Sequence, residues 1–236
     1  MNLSVFELFR IGIGPSSSHT VGPMRAARTF VLDLATTGRL GAVATVQVEL
    51  FGSLGATGRG HGSDKAVLLG LMGETPEDVV VAEVDKLVAR VRVLERLALL
   101  HQHEIDFREP EHLQLLLKNL PYHPNGMRFT ALDASGATLS ARVFYSVGGG
   151  FVVEEGVADL APQGAEPPHA FRTGEELLRR CREAGLSVGR LMLENERTWR
   201  SRREIYEGLL NIWAVMQACV KPVSYTHLTL PTKRIV

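Results

Sequence analysis

Five consecutive residues near the start of the chain carry side chains that can bind a ligand and exchange protons with it. They are Ser16, Ser17, Ser18, His19 and Thr20, and a helical pattern follows them at once. Hydroxyl groups donate and accept hydrogen bonds, and histidine changes charge near neutral pH. The unpaired N–H groups at the start of a helix, together with the helix dipole, attract anions. The stretch therefore predicts a pocket for a small anion such as a carboxylate or a phosphate.

The serine-rich stretch has two possible interpretations. Gly12 and Gly14 would let the backbone approach a ligand closely, which favours the pocket. The alternative is that Ser18 or Thr20 only caps the following helix and that the rest of the loop is exposed to solvent.

A second histidine, His61, lies between Gly60 and Gly62 in a glycine-rich segment that leads into an apolar helical pattern. We expect this segment to be a loop, with Ser63 or Asp64 as the helix cap. The flanking glycines remove side chains that would keep a ligand away from the imidazole. Two histidines in such segments favour acid–base chemistry over a purely structural role.

The other candidates for metal or nucleophile chemistry are weaker. His101 and His103 alternate on a predicted strand, but no third ligand accompanies them, so we predict no metal site. Cys181 and Cys219 lie in helical patterns and are expected to be free thiols. The sequence contains no P-loop, no dinucleotide-binding glycine motif after its first strand and no nucleophile elbow.

Composition narrows the classes of partner. The chain has 236 residues, and its 26 basic and 26 acidic residues balance, so nothing favours a nucleic-acid partner. No apolar run approaches the roughly 18 residues that span a bilayer, and the N-terminal residues lack the pattern of a signal peptide. We expect a cytoplasmic protein that binds neither nucleic acid nor membrane.

The elements that must position the two histidines follow from periodicity. Helical spacing predicts a helix over 22–38, and strict alternation predicts a strand over 44–50. After the glycine-rich segment we predict a short helix over 64–73, a helical stretch from Thr75 to about Leu100 with at most one break, and a strand over 103–107. Residues 127–147 alternate on both sides of a turn and predict a hairpin that runs into Gly148, Gly149 and Gly150.

Composition shifts after residue 150. A proline-containing segment leads to Thr173, which begins a capping box with Glu176, and helices are predicted over 187–197 and 201–221. The fold class is therefore α/β (α+β), a mixed sheet with flanking helices followed by the first helices of an all-α domain. We place the α/β domain at 1–150, a linker at 151–172 and the start of the helical domain at 173–221.

Several segments resemble, in order, the bacterial iron–sulfur L-serine dehydratases (L-serine ammonia-lyases). The resemblance covers residues 1–221 and is carried by FELFRIGIGPSSSHTVGPMRAA, VELFGSLGATGRGHGSDKAVLLGL, NLPYHPNGMRF, FYSVGGGFVV and NIWAVMQACV. It implies an N-terminal α/β domain similar to the allosteric substrate-binding domain of some phosphoglycerate dehydrogenases. A helical catalytic domain that holds a [4Fe-4S] cluster on three cysteines would follow.

The same resemblance implies a reaction. The open iron of the cluster binds the hydroxyl and carboxylate of L-serine as a Lewis acid while a base removes the α-proton. Hydroxide leaves, and the resulting aminoacrylate breaks down to pyruvate and ammonia. The resemblance also implies that the full-length enzyme is a homodimer.

The resemblance assigns expected roles to the candidate residues. His61 is expected to do the acid–base work, with Asp64 as its neighbour. The pocket is expected to be shaped by Asn125, Gly126 and the glycines at 148–150. The serine-rich stretch, Ser16 to Thr20, is expected to bind the carboxylate and amine of serine at the domain junction.

The sequence departs from the family in two places. Cys181 and Cys219 match none of the cluster cysteines, which lie downstream of the part that this chain resembles. Residues 222–236 resemble nothing in the family, and Pro222 interrupts the preceding helical pattern. We therefore expect a truncated catalytic domain with a tail of foreign origin, and a fragment that is inactive alone. The alternatives are a genuine short subunit and a non-catalytic serine-binding regulatory domain.

Overall fold

A computed structural model of the protein describes residues 4–157 and 165–227. The chain divides into two compact units, Gly12–Asp159 and the pair of segments Met1–Ile11 and Leu160–Val236. The predicted linker at 151–172 lies partly outside the described residues. The same is true of the predicted tail at 222–236, of which residues 228–236 are not described. The domain bounds inferred from the sequence stay a prediction.

Alternating apolar residues build the strands of the first unit. In β1 the side chains of Val46, Val48 and Leu50 are fully buried, as the period of two predicts. The strands are β1 (Thr45–Phe51), β2 (Arg96–Leu99), β3 (His103–Asp106), β4 (Leu113–Leu116), β5 (Gly126–Leu132), β6 (Thr138–Gly148) and β7 (Phe151–Glu154).

Five of these strands form one mixed sheet in the order β4-β1-β5-β6-β7. The pair β1 and β4 is parallel, and the other neighbours are antiparallel. The predicted hairpin over 127–147 is the pair β5 and β6. The strands β2 and β3 form a separate two-stranded sheet, so the strand predicted over 103–107 is confirmed.

Helices of the same unit flank this sheet, and further helices follow in the second unit. A short 3₁₀ turn, Leu40–Ala42, precedes β1. The helices are α1 (Val5–Leu8), α2 (Val21–Thr36), α3 (Gly52–His61), α4 (Ser63–Met72), α5 (Val81–Leu94), α6 (Glu109–His112), α7 (Gly174–Ala184), α8 (Val188–Glu196) and α9 (Arg202–His227). The predicted fold class, a mixed sheet with flanking helices followed by further helices, is confirmed.

Three segments differ from the sequence prediction. The glycine-rich segment expected to be a loop is the helix α3, although glycine disfavours helices. The helix expected from Thr75 begins only at Val81 and ends at Leu94, because the next residues pair with β3 as β2. The helix expected to end before Pro222 runs to His227, since a proline removes one backbone donor and kinks a helix without always ending it.

The core of the first unit lies between α2, α4 and the sheet. Phe30 of α2 stacks on Phe129 of β5 with ring centroids 5.5 Å apart, and both are fully buried. The helices α2 and α4 approach closely at Gly70, where an added Cβ would lie 2.2 Å from the carbonyl oxygen of Met24. This packing fixes the first turn of α2, which follows the serine-rich stretch, beside α4.

The second unit contains a buried polar cluster around Glu196 of α8. Its carboxylate accepts hydrogen bonds from the Ser4 hydroxyl at 2.9 Å and from the Val5 N–H at 2.6 Å, and it pairs with Arg200. These bonds tie α1 to α8. In α7 half of the predicted capping box is present, because Thr173 Oγ1 accepts from the N–H of Glu176. The Glu176 carboxylate accepts from the N–H of Arg172 and so does not complete the box.

Candidate functional site

The serine-rich stretch forms a tight coil before α2. The carbonyl of Ser16 accepts from the N–H groups of His19 and Thr20 and from the hydroxyl of Thr20 at 2.8 Å. The carbonyl of Ser17 accepts from the N–H of Gly22. Thr20 occupies the N-cap position of α2, yet its side chain makes no capping bond. The simple capping role considered for Thr20 is therefore wrong, and the first turn of α2 pairs with the coil instead.

The coil holds the buried ring of His19 among four hydroxyl groups. On one side, Nδ1 lies 3.0 Å from Ser18 Oγ and 3.3 Å from Ser16 Oγ. On the other side, Nε2 lies 3.1 Å from Thr57 Oγ1 and 3.2 Å from Ser53 Oγ. Burial, and secondarily the charge of His61, lower the pKa of His19, so a neutral imidazole is favoured at this position.

The ring of His61 lies next to that of His19, with centroids 4.7 Å apart. His61 is the last residue of α3, and not part of a loop at a helix start as the sequence predicted. Its Nδ1 is 2.9 Å from the carbonyl oxygen of Thr57, one helical turn earlier. The residue is half-buried.

Gly62 joins α3 to α4 with a left-handed backbone, φ +81°, which favours glycine. It is the N-cap of α4, so neither Ser63 nor Asp64 is the cap that the sequence predicted. The buried hydroxyl of Ser63 donates instead to the carbonyl of His19 at 2.6 Å. This bond links the α3–α4 junction directly to the serine-rich coil.

Asp64 does not pair with His61 among the described residues. Its Oδ2 accepts from Arg92 of α5 at 2.8 Å, and Arg92 also binds Glu109. Its buried Oδ1 has no hydrogen-bond partner in the described part of the chain. Asp64 therefore anchors the first turn of α4, where a carboxylate also complements the helix dipole.

Asn125 and Gly126 lie at the start of β5, next to Ser146 of β6. The Asn125 side-chain amide donates to the backbone carbonyl of Ser146 at 3.1 Å, and the backbone carbonyl of Asn125 accepts from the N–H of Ser146. A Cβ added to Gly22 at the start of α2 would lie 2.1 Å from Ser146 Oγ. Gly126 is the first residue of β5 and packs against the side chain of Leu120. The start of α2 and the start of β5 are thus brought together through Ser146.

Gly148, the last residue of β6, and the two glycines that follow it form the turn into β7. Gly148, Gly149 and Gly150 have φ values of +104°, +57° and +75°, so side chains at these positions would strain the backbone. The carbonyl of Gly150 accepts from Arg25 of α2. The run is therefore required by the turn and is tied to the same helix that follows the serine-rich coil.

Sequence reasoning missed four hydroxyl residues of this site: Ser53, Thr57, Ser63 and Ser146. Ser53 and Thr57 are four residues apart, which is the spacing of one helix face. The signal was hidden because four glycines, Gly52, Gly55, Gly58 and Gly60, made the segment resemble a loop. Because the segment is a helix, Ser53 and Thr57 lie on the same face, and both hydroxyls contact Nε2 of His19.

A family model described as the serine dehydratase beta chain matches residues 4–157 of this chain. That match includes both histidines, all four hydroxyls around His19 and the glycine turn. The chain belongs to the serine dehydratase beta-chain family.

Curated relatives agree with this family. The chain is 55% identical over 224 residues to an L-serine dehydratase of Streptomyces coelicolor, covering 93% of this chain and 49% of that protein. It is 40% identical over 231 residues to L-serine dehydratase 1 of Escherichia coli, covering 97% and 51%. With L-serine dehydratase of Helicobacter pylori the identity is 34%, covering 92% and 48%. The chain spans about half the length of the curated relatives it matches.

The described residues of this serine dehydratase beta-chain protein do not fit an iron–sulfur cluster. Cys181 is half-buried on α7 and Cys219 is exposed on α9, and they are the two cysteines of the sequence. A [4Fe-4S] cluster is held by more thiolates than these two can offer. In the described part of the chain no three His, Cys, Asp or Glu side chains are grouped to hold a metal ion.

Within residues 4–157 and 165–227, no helix combines the length and the apolar character needed to cross a bilayer.

Proposed function

We propose that this chain supplies the substrate-binding and proton-transfer residues of an L-serine dehydratase. The observation that carries the proposal is the position of the His19 and His61 rings beside the serine-rich coil, with their centroids 4.7 Å apart. Hydroxyls and a neutral imidazole suit the carboxylate and amine of an amino acid, because they donate and accept at short range. The names of the relatives support L-serine as that amino acid.

The chemistry assigned to these residues is removal of the α-proton of serine. Nδ1 of His61 is engaged by the Thr57 carbonyl, which leaves Nε2 to accept a proton from the substrate. Histidine titrates near neutral pH, as a general base should. The α-proton moves to Nε2 and is then passed to the hydroxyl group that leaves the β-carbon, so the products are aminoacrylate and water. Aminoacrylate tautomerises to the imine, and hydrolysis of the imine gives pyruvate and ammonia.

Binding can be tested on the chain itself. We expect L-serine to bind, measured by titration calorimetry, and Ser18→Ala to weaken binding about tenfold or more, as expected for the loss of a hydrogen bond to a charged group. Ser135→Ala is the matched control, because Ser135 lies in the exposed turn between β5 and β6. No binding by the unaltered chain, or equal weakening by both variants, would contradict the proposal.

Turnover needs a chain of the relatives' length. We expect the chain, joined in frame to the remaining half of the Streptomyces coelicolor relative, to release pyruvate from L-serine. His61→Gln should then lower kcat by roughly 10² or more, the usual loss for a general base. His112→Gln is the control, since that ring packs on Phe107.

A regulatory serine-binding domain is the second candidate. It is favoured by one observation: both histidines and all of their hydroxyl partners lie within the single unit Gly12–Asp159. Serine binding by the chain, with normal turnover by the joined protein carrying His61→Gln, would support this candidate instead.

A further inference from the structure

One residue contacts both histidines of the site. Thr57, on the exposed side of α3, places its carbonyl oxygen 2.9 Å from His61 Nδ1 and its hydroxyl oxygen 3.1 Å from His19 Nε2. The two contacts use different atoms of Thr57 and have different chemical requirements. Together they decide which nitrogen of each ring carries the proton.

The His61 contact admits one arrangement. A carbonyl oxygen only accepts hydrogen bonds, so the 2.9 Å contact requires a proton on Nδ1 of His61. A neutral imidazole has one N–H, so Nε2 of the same ring carries a lone pair. Among the described residues no side chain competes with Thr57 for Nδ1, and the tautomer follows from this bond alone.

The His19 contact is decided by the single proton of a hydroxyl group. The Thr57 hydroxyl donates that proton to the carbonyl of Ser53, 2.9 Å away in the preceding turn. Its oxygen can then only accept from His19, which places the imidazole proton on Nε2. On the other edge of the ring, Nδ1 is left to accept from Ser18 Oγ at 3.0 Å or Ser16 Oγ at 3.3 Å.

Ser53 is compatible with either tautomer of His19, since its hydroxyl, 3.2 Å from Nε2, can donate or accept. Thr57 is compatible only with the Nε2–H tautomer of His19, because its hydroxyl proton is donated to the carbonyl of Ser53. The lowered pKa of His19 supports a neutral ring, for which a choice of tautomer exists.

We propose that Thr57 is a positioning residue that holds the two histidines in opposite tautomers, Nε2–H on His19 and Nδ1–H on His61. The consequence for catalysis rests on the function proposed above: Nε2 of His61 is kept free to receive the α-proton. Nδ1 of His19 then accepts from a hydroxyl of the serine-rich coil. The tautomers themselves do not depend on that function.

The test is nuclear magnetic resonance of the full chain with ¹⁵N-labelled histidine. Long-range proton–nitrogen correlations distinguish the two tautomers, measured above about pH 8, where histidine is neutral. His19→Gln and His61→Gln assign the two rings among the eight histidines. We expect the Nε2–H pattern for His19 and the Nδ1–H pattern for His61.

Two variants separate positioning from a merely structural role. Thr57→Val should shift His19 to a mixture of tautomers and leave the pattern of His61 unchanged, because the backbone carbonyl remains. Thr57→Ser, which restores the hydroxyl, should restore the Nε2–H pattern of His19. An Nδ1–H pattern for His19 in the unaltered chain, or no change in Thr57→Val, would overturn the proposal.

If Thr57→Val does not fold, the pattern of the unaltered chain and of Thr57→Ser decides the matter. Absence of serine binding or turnover would overturn the proposed function and leave these spectra unaffected, so the two failures are distinguishable.

Discussion

His19 lies close enough to His61 for the charge of His61 to lower the pKa of His19. Burial is the larger cause of the lowered pKa of His19, and the charge of His61 is the second. The two effects can be separated, because a neutral side chain at position 61 removes the charge and leaves His19 buried.

We therefore expect His61→Gln to raise the pKa of His19 toward the ordinary histidine value while leaving it below that value. The measurement is a pH titration of the ring proton signals of the full chain. His112 is an internal control, because its pKa is also lowered, chiefly by burial, and the substitution should not move it. An unchanged titration of His19 would show that the two rings do not interact.

At the scale of elements, the helix α3 forms against the intrinsic preference of its residues. Glycine disfavours a helix by about 1 kcal/mol per residue relative to alanine. Two of its glycines are required by packing: a Cβ on Gly55 would lie 2.1 Å from the carbonyl of Leu116, and one on Gly52 would lie 2.3 Å from that of Pro124. The helix therefore exists because its backbone can approach β4 and the segment before β5.

Gly60 and Gly62 flank His61 but differ in backbone conformation, which makes them a matched pair. Neither has any atom within 4 Å of an added Cβ, and only Gly62 has a positive φ. We expect Gly60→Ala to raise the free energy of unfolding by about 0.5–1 kcal/mol. Gly62→Ala should lower it by about 1–2 kcal/mol, the cost of a left-handed backbone for other residues.

Urea unfolding of the full chain measures both changes. Equal effects of the two substitutions would mean that the junction between α3 and α4 is not formed as described, and the position of His61 would then need to be reconsidered.

At the scale of the whole molecule, α9 carries a row of exposed apolar side chains. Apart from the adjacent pair Leu209 and Leu210, they recur three or four residues apart and so share one face of the helix. The row consists of Tyr206, Leu209, Leu210, Trp213, Met216 and Val220. Contiguous apolar surface of this kind favours association between molecules.

We expect the chain to self-associate with increasing concentration, as measured by sedimentation velocity. The double substitution Leu210→Gln and Trp213→Gln should reduce this association, because it removes two exposed residues near the middle of the row. Leu117→Gln is the control, since Leu117 is 77% exposed in the other unit. If the control reduces association as much as the double variant, the row on α9 is not its cause.

Local features of this protein could be predicted from the sequence because they depend on neighbours in the chain. The alternation over 44–50 predicts β1, the paired alternation around Asp133 predicts the hairpin, and Thr173 predicts the start of α7. The serine-rich coil and His61 were also identifiable as candidates, because their residue types are rare in such a combination. Their catalytic roles stay predictions.

What only the tertiary structure decided depends on residues distant in sequence. α3 is a helix because Gly55 packs on β4, and β2 is a strand because it pairs with β3. Asp64 contacts Arg92 on another helix and not His61, which lies only three residues before it. The contacts of His19 with Ser53 and Thr57 join residues more than thirty positions apart. Periodicity and capping carry no information about such pairs, since packing across the core brings them together.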